Sequence, residues 1–304
     1  MKNRVIETQG LTKQYTNGKG CIDIGIQVHK GEVYGFLGPN GAGKSTFIKT
    51  LVGLLFPTSG SAEILGRPLG DLEAKKRIGY LPELFKYQDW MTGKDLLKFH
   101  AQLYKLEKGK IPSKIEEVLE MVNMKGSENY KIGTYSKGMQ QRIGMASALL
   151  CDPELIFLDE PTSALDPIGR KEVRDMIITL KQMEKTVFLN SHLLGEVEQV
   201  CDAAAIISHG HIIKQGLMSD MLRGQNSLEI QVDDMSYQLL DKLKDYDAEM
   251  LYDGKLIQLK LREASDTPFI AKTIVEGGAK LFSLKPQSNK LEDLFIQLIE
   301  KGEQ

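Results

Sequence analysis

Short apolar runs alternating with helical patterns predict an α/β fold with a largely parallel sheet up to about residue 220. Two observations carry this prediction. Val33–Leu37, Leu155–Leu158, Thr186–Asn190 and Ala204–Ile207 have the length and side chains of short buried strands. Between them, apolar residues recur at i, i+3, i+4 and i+7, as in Ile115, Val118, Leu119 and Val122. A third observation is a change of pattern after residue 218. From there the order reads β-α-β-β-α-β, the split arrangement called ferredoxin-like. The chain therefore divides into residues 1–220 and a small C-terminal accessory domain, 221–304.

The elements follow in order. Ile22, Ile24, Ile26 and Val28 alternate strictly and predict one half-buried strand. Val33–Leu37 is a strand entering a glycine-rich turn, and Ser45–Leu55 is helical. Thr92 with Asp95 opens a second helix, with Leu96, Phe99 and Leu103 on one face. Ser113 with Glu116 forms a capping box before the helix that carries Ile115. Leu155–Leu158 ends in the acids Asp159 and Glu160. In the tail, Leu228, Ile230 and Val232 form a strand and Tyr237–Leu243 a helix. Asp253-Gly254 is a hairpin signal before Ile257, Leu259 and Leu261. A helix near Pro268–Val275 and a strand near Lys280–Leu284 come next. Asn289 caps the last helix, whose stripe Leu291, Leu294, Phe295, Leu298 and Ile299 packs on its own core or contacts a second chain.

Composition narrows the function classes. Basic and acidic residues number 39 and 41, a net of −2, which argues against a nucleic-acid binder built on a polycationic surface. Hydrophobic residues at 41% and charged residues at 26% suit a globular chain with a real core. Cys21, Cys151 and Cys201 are odd in number and widely spaced, so neither a disulfide framework nor a zinc site is expected, and a reducing compartment fits. No stretch approaches the about 20 apolar residues of a membrane span. Residues 1–10 lack the apolar core of a signal peptide. The expectation is a soluble, unexported chain with no direct membrane insertion and no nucleic-acid partner.

Three segments carry chemistry. Gly38-Pro39-Asn40-Gly41-Ala42-Gly43-Lys44-Ser45 fits G-x-x-x-x-G-K-S between a strand and a helix. Glycines let successive backbone N–H groups turn towards phosphate oxygens, and the helix N-terminus adds partial positive charge. Lys44 neutralises the β and γ phosphates, and Ser45 offers a hydroxyl to Mg²⁺. With Thr46, these residues form the expected ATP-binding set. The second segment places Asp159 and Glu160 at the carboxyl edge of the sheet, where α/β ligands bind. Asp159 is suited to hold Mg²⁺ and Glu160 to polarise an attacking water as general base.

The third segment, Tyr135-Ser136-Lys137-Gly138-Met139-Gln140-Gln141-Arg142, resembles the Leu-Ser-Gly-Gly-Gln signature of ABC ATPases. Taken alone, Ser136 is equally an ordinary helix cap. Other positions fit the same family in the same order. Ser163-Ala164-Leu165-Asp166 is spaced from Glu160 as the D-loop. His192 stands at the switch-histidine position and Tyr15 where an aromatic ring stacks on adenine. The resemblance covers residues 1 to about 220. It implies an ATPase core with a small antiparallel β subdomain and a helical subdomain at about 86–139. It also implies catalytic roles for Lys44, Glu160 and His192, and contact of Ser136 and Gly138 with the γ-phosphate of a second ATPase subunit, identical or paralogous.

Two departures stand out. Glu83, in Gly79-Tyr80-Leu81-Pro82-Glu83, takes the lid position usually held by Gln and is read as a third metal contact beside Ser45 and Asp159. Lys137 and Met139 replace a Gly and a Gln of the signature, and Lys137 is either solvated or near the partner's nucleotide. These segments, with Leu291-Glu292-Asp293-Leu294-Phe295, resemble the ATPase subunits of bacterial type-two ABC exporters of bacitracin or lantibiotics, other drugs or sodium. That resemblance implies a membrane permease as partner and a place at the inner face of the membrane. Trp90 is then either subdomain core or part of the permease docking surface. The other readings are an ABC ATPase acting on ribosomes or DNA, a sugar-import ATPase, and a nucleotide-binding regulator without turnover. The single cassette, the Glu lid, the short α/β tail and the intact Asp159, Glu160 and His192 argue against them in turn.

Overall fold

The computed structural model describes residues 3–163, 165–222, 226–261, 264–287 and 290–302. Two compact units divide near Met218, the second being Ser219–Glu300. The first unit is built on a six-stranded sheet. Its strands lie in the order His211–Leu217, Ala203–Ser208, Val33–Leu37, Thr186–Asn190, Leu155–Asp159, Ile78–Leu81. All neighbours are parallel except the terminal hairpin Ala203–Leu217. Val33–Leu37, Leu155–Asp159 and Thr186–Asn190 are buried at every position. Continuous apolar runs suit strands covered on both faces, which is why they lack alternation. Phe36, Phe47, Phe157 and Phe188 are fully buried at the centre of this core. The helix Lys44–Leu51 contributes Phe47 and ends four residues before the expected Leu55.

The front sheet is antiparallel, with Arg4–Gln14 pairing with Gly20–Ile24, Gln27–His29 and Ser59–Ile64. Here the structure corrects the alternation reading, because Ile22–Val28 is two strands. Thr8 reaches into the break, its hydroxyl donating to the Ile24 carbonyl and accepting from the Ile26 amide, both at 2.9 Å. Ile24, Ile26 and Val28 still bury fully or nearly so, which is why their pattern imitates one strand.

Helices Gly93–Leu103, Ile111–Met121 and Lys137–Leu149 form the helical region. Thr92 caps the first by accepting from the Asp95 amide at 3.1 Å. That helix buries Gly93, Leu96, Leu97 and Ala101, so Phe99 and Leu103 face away from the core, against expectation. The Ser113–Glu116 capping box does not form. The helix starts earlier, at Ile111, because Pro112 suits a first turn that needs no amide donor. Ser113 lies inside it and donates to the Lys110 carbonyl at 3.0 Å.

The second unit has the β-α-β-β-α-β order of strands and helices. Its antiparallel sheet runs Leu251–Tyr252, Leu256–Leu261, Asn226–Asp233, Lys280–Gln287. The Asp253 carboxylate closes the hairpin by accepting the amides of Lys255 and Leu256 at 3.0 and 2.8 Å. Leu228, Ile230, Leu239, Leu243, Ile257 and Ile270 give the unit its own core. In the last helix, Leu291–Gly302, Leu291 is fully buried and the rest of the apolar stripe half-buried. The Asn289 cap expected there lies outside the described residues, as does Ala164. No helix among the described residues is long and apolar enough to cross a membrane.

Candidate functional site

Two glycines of the loop between Val33–Leu37 and Lys44–Leu51 pass so close to neighbouring backbone that no side chain fits. Gly43 caps the helix at φ 105°, and a Cβ there would lie 2.1 Å from the Gly20 carbonyl oxygen. At Gly38 a Cβ would lie 2.3 Å from the Ile207 carbonyl oxygen. The loop is thus wedged between the front sheet and the central sheet. Lys44 folds back over it, and Nζ donates to the carbonyls of Gly38 at 2.8 Å and Pro39 at 3.2 Å. Burial lowers the Lys44 pKa, while the charges of Glu160, Asp159 and Glu83 oppose that shift.

A cleft of about 380 Å³ opens over this loop. Asn40, Gly41, Gly43, Lys44, Ser45 and Thr46 line it, and Glu83 and Glu160 stand across from them. Tyr15, Asn17, Lys19 and Gly20 form the remaining wall. Gly38, Pro39 and Ala42 support the loop without lining the cleft. Asn17, Lys19 and Gly20 were not foreseen from the sequence. They follow Tyr15 in a tight turn, where the Tyr15 amide donates to the Lys19 carbonyl at 2.8 Å.

Asp159 ends its strand fully buried. Its Oδ1 accepts from Asn190 Nδ2 and lies 3.4 Å from the Ser45 hydroxyl. Oδ2 is buried with no protein partner. Burial raises the Asp159 pKa; the Asn190 hydrogen bond works against it. A buried oxygen left unpaired costs about 1–3 kcal/mol unless something binds it. Beside the Ser45 hydroxyl, that oxygen fits a hard cation such as Mg²⁺. Among the described residues no three His, Cys, Asp or Glu side chains form a metal cage. The Tyr80 hydroxyl and Asn190 Oδ1 are also buried without partners. Asn190 is a residue the sequence reading missed; it ends the strand paired in register with Asp159.

Glu160 follows at φ 53°, a left-handed backbone that costs a non-glycine residue about 1–3 kcal/mol. Its amide donates to the Asn190 carbonyl at 2.9 Å. This turn aims the carboxylate into the cleft, where His192 Nδ1 meets Oε2 at 2.7 Å. Burial pushes the Glu160 pKa up, and the charge and hydrogen bond of His192 hold it down.

Ser136 and Gly138 are not brought to this cleft. Ser136 caps Lys137–Leu149 by accepting from the Met139 amide at 3.2 Å, and both Ser136 and Lys137 are exposed. Trp90 is 72% exposed and Leu84 87%, so Trp90 is not part of the subdomain core.

Comparisons with known proteins agree on one family. A family profile described as "ABC transporter" matches residues 21–163. The chain is similar to an uncharacterized ABC transporter ATP-binding protein of Nostoc sp., 38% identical over 98% of this chain and 90% of the relative. It is 37% identical to a bacitracin transport ATP-binding protein of Bacillus licheniformis, over 98% of each chain. Among solved structures, an ATP-binding subunit of an ABC transporter superposes with TM-score 0.66 at 28% identity, covering 72% of this chain and 92% of that one. The structure of cbiO1 from Clostridium perfringens, described as part of the ABC transporter complex cbiONQ, shares the fold with TM-score 0.64 at 24% identity, covering 72% of this chain and 90% of that one.

Proposed function

This chain belongs to the ABC transporter family as an ATP-binding subunit with ATPase activity, and we propose from that premise how its residues divide the work. The triphosphate of ATP lies on the backbone amides of Gly38–Thr46, with Lys44 on the β and γ phosphates and the Tyr15 ring against adenine. Ser45, Asp159 and Glu83 would hold Mg²⁺, which would supply charge neutralisation for the phosphates. A water attacks the γ-phosphorus in line and gives its proton to Glu160 as the bond to ADP breaks. His192 fixes the Glu160 carboxylate for that transfer. One observation carries this reading. Asp159 and Glu160, neighbours at a strand end, face Lys44 and Ser45 in two different states: one carboxylate buried with an unpartnered oxygen, the other braced by histidine.

The exposed Ser136 and the half-buried Gly138, both outside the chain's own cleft, support a site completed by a second ATPase chain. Each signature then closes on the other's phosphate loop. The exposed Trp90 and Leu84 support docking of a membrane permease, which places the subunit at the inner face of the membrane. Similarity to bacitracin transport proteins supports export of a drug, peptide antibiotic or ion. Purification of the tagged chain from native membranes tests this: a hydrophobic multi-span protein should co-purify, and recovery with ribosomes instead overturns the transport reading.

A further inference from the structure

A second cleft, of about 860 Å³, opens between helices Gly93–Leu103 and Ile111–Met121 and shares no residue with the nucleotide cleft. Its walls follow from sequence spacing. Lys94, Lys98 and Gln102 recur every four residues along one helix face, and Lys105 follows just past the helix end. Lys108 in the connecting loop and Lys125 beyond the second helix complete a cationic rim. The floor is apolar, formed by Leu106, Ile111, Ile115 and Leu119. Only two acids line the cleft. Glu116 is committed to Lys125 at 3.1 Å, and Glu128 accepts the Gly126 amide at 2.6 Å. Lys94, Lys98, Lys105 and Lys108 have no ion pair among the described residues. In a chain with net charge −2, this is a local concentration of uncompensated positive charge.

An independent feature lies alongside. On the neighbouring face of the same helix, Phe99 is 49% and Leu103 64% exposed. Lysines that need counter-charge and apolar side chains that need cover are the two halves of a membrane-surface footprint. A soluble anion would satisfy only the first half and an apolar partner only the second.

We propose that this cleft binds an anionic phospholipid of a bilayer, with the headgroup phosphate between Lys98 and Lys105 and an acyl segment on the Leu106–Ile115–Leu119 floor. Phe99 and Leu103 enter the interface beside it. The site anchors the helical region to acidic membrane independently of ATP chemistry, and adds a contact that needs no permease.

Vesicle flotation of the full-length protein tests this. Vesicles of phosphatidylcholine alone are compared with phosphatidylcholine–phosphatidylglycerol mixtures, at low and high salt. The protein should float with the mixed vesicles only, and less so as salt rises. The double variant Lys98→Glu with Lys105→Glu should lower partitioning by about 25-fold or more, taking roughly fivefold for each lysine lost near an anionic surface. Lys272→Glu, an exposed lysine of the second unit, should leave it unchanged. Mg-ATP binding by the same variants, measured in parallel, should match wild type, which separates this result from the phosphate-loop reading. Equal partitioning on both vesicle types overturns the proposal. So does an undiminished double variant, an equal loss in Lys272→Glu, or capture of an acidic amphipathic peptide without vesicle binding.

Discussion

His192 Nδ1 and Glu160 Oε2 stand 2.7 Å apart, joining the segments that follow two neighbouring parallel strands. The carboxylate is almost fully buried and the imidazole half open. Histidine is thus the group that offsets the cost of burying a charge at Glu160.

Removing that partner should change both rate and pH dependence. Burial raises the Glu160 pKa, and a general base works only when deprotonated, so activity falls as pH drops through that raised value. His192→Ala removes the opposing interaction, and the acid limb should move to higher pH. The turnover number should fall by about 100-fold, at the lower end for general-base contributions. A pH–rate profile of ATP hydrolysis reads both effects. A slower enzyme with an unmoved acid limb would assign His192 a role away from Glu160.

Asp159, the proposed metal ligand, carries a stability cost. Its folded pKa lies above the unfolded value, so folding favours the neutral form. The protein therefore gains stability from this site as pH falls and loses it as pH rises through the folded pKa. Asp159→Asn removes the buried charge and should raise the melting temperature of the nucleotide-free protein by about 2–4 °C, equivalent to roughly 1 kcal/mol. The same variant should lose the extra stabilisation that Mg-ATP gives the wild type. Thermal denaturation with and without Mg-ATP checks both; a variant still stabilised by Mg-ATP contradicts the metal assignment.

Thr8 should prove a structural keystone although it is far from the chemistry. Its buried hydroxyl serves Ile24 and Ile26 together at the strand break. Thr8→Val keeps the shape and leaves a carbonyl and an amide unpaired, costing about 2–4 kcal/mol. Urea unfolding should show a lower midpoint with an unchanged slope.

The phosphate loop should fail in two distinguishable ways. Lys44→Ala should abolish nucleotide binding by removing charge. Gly43→Ala should do so by moving backbone, since the left-handed φ and the Gly20 carbonyl leave no room for a methyl group. Titration with a fluorescent ATP analogue measures both, and undiminished affinity in Lys44→Ala contradicts the loop's role.

What could be read from the sequence follows how local each feature is. The glycine loop and the strand ending in Asp159-Glu160 are contiguous, so spacing alone reveals them. The tail order was legible because its two central strands alternate over one buried face, as in Leu228, Ile230 and Val232 and in Ile257, Leu259 and Leu261. Asn190 was not legible as a site residue, since it gains meaning only from its register opposite Asp159. Asn17 and Lys19 join the cleft only because the front sheet folds Gly20 against Gly43. The break within Ile22–Val28 depends on Thr8, which arrives from another strand. Phe99 and Leu103 fit a helical period but lie one step round from the face that packs, which is set by Leu97 and Ala101. Periodicity gives a stripe; tertiary contact decides its edge.

The central claim is that Glu160 takes the proton from the water that attacks ATP. Single-turnover hydrolysis by Glu160→Gln, combined with size-exclusion chromatography in Mg-ATP, tests it most directly. The amide keeps the size and loses the basicity, so ATP should bind with near wild-type affinity, hydrolysis should fall by about 100-fold or more, and an ATP-loaded dimer should persist on the column. Turnover at the wild-type rate, with no trapped dimer, would contradict the account.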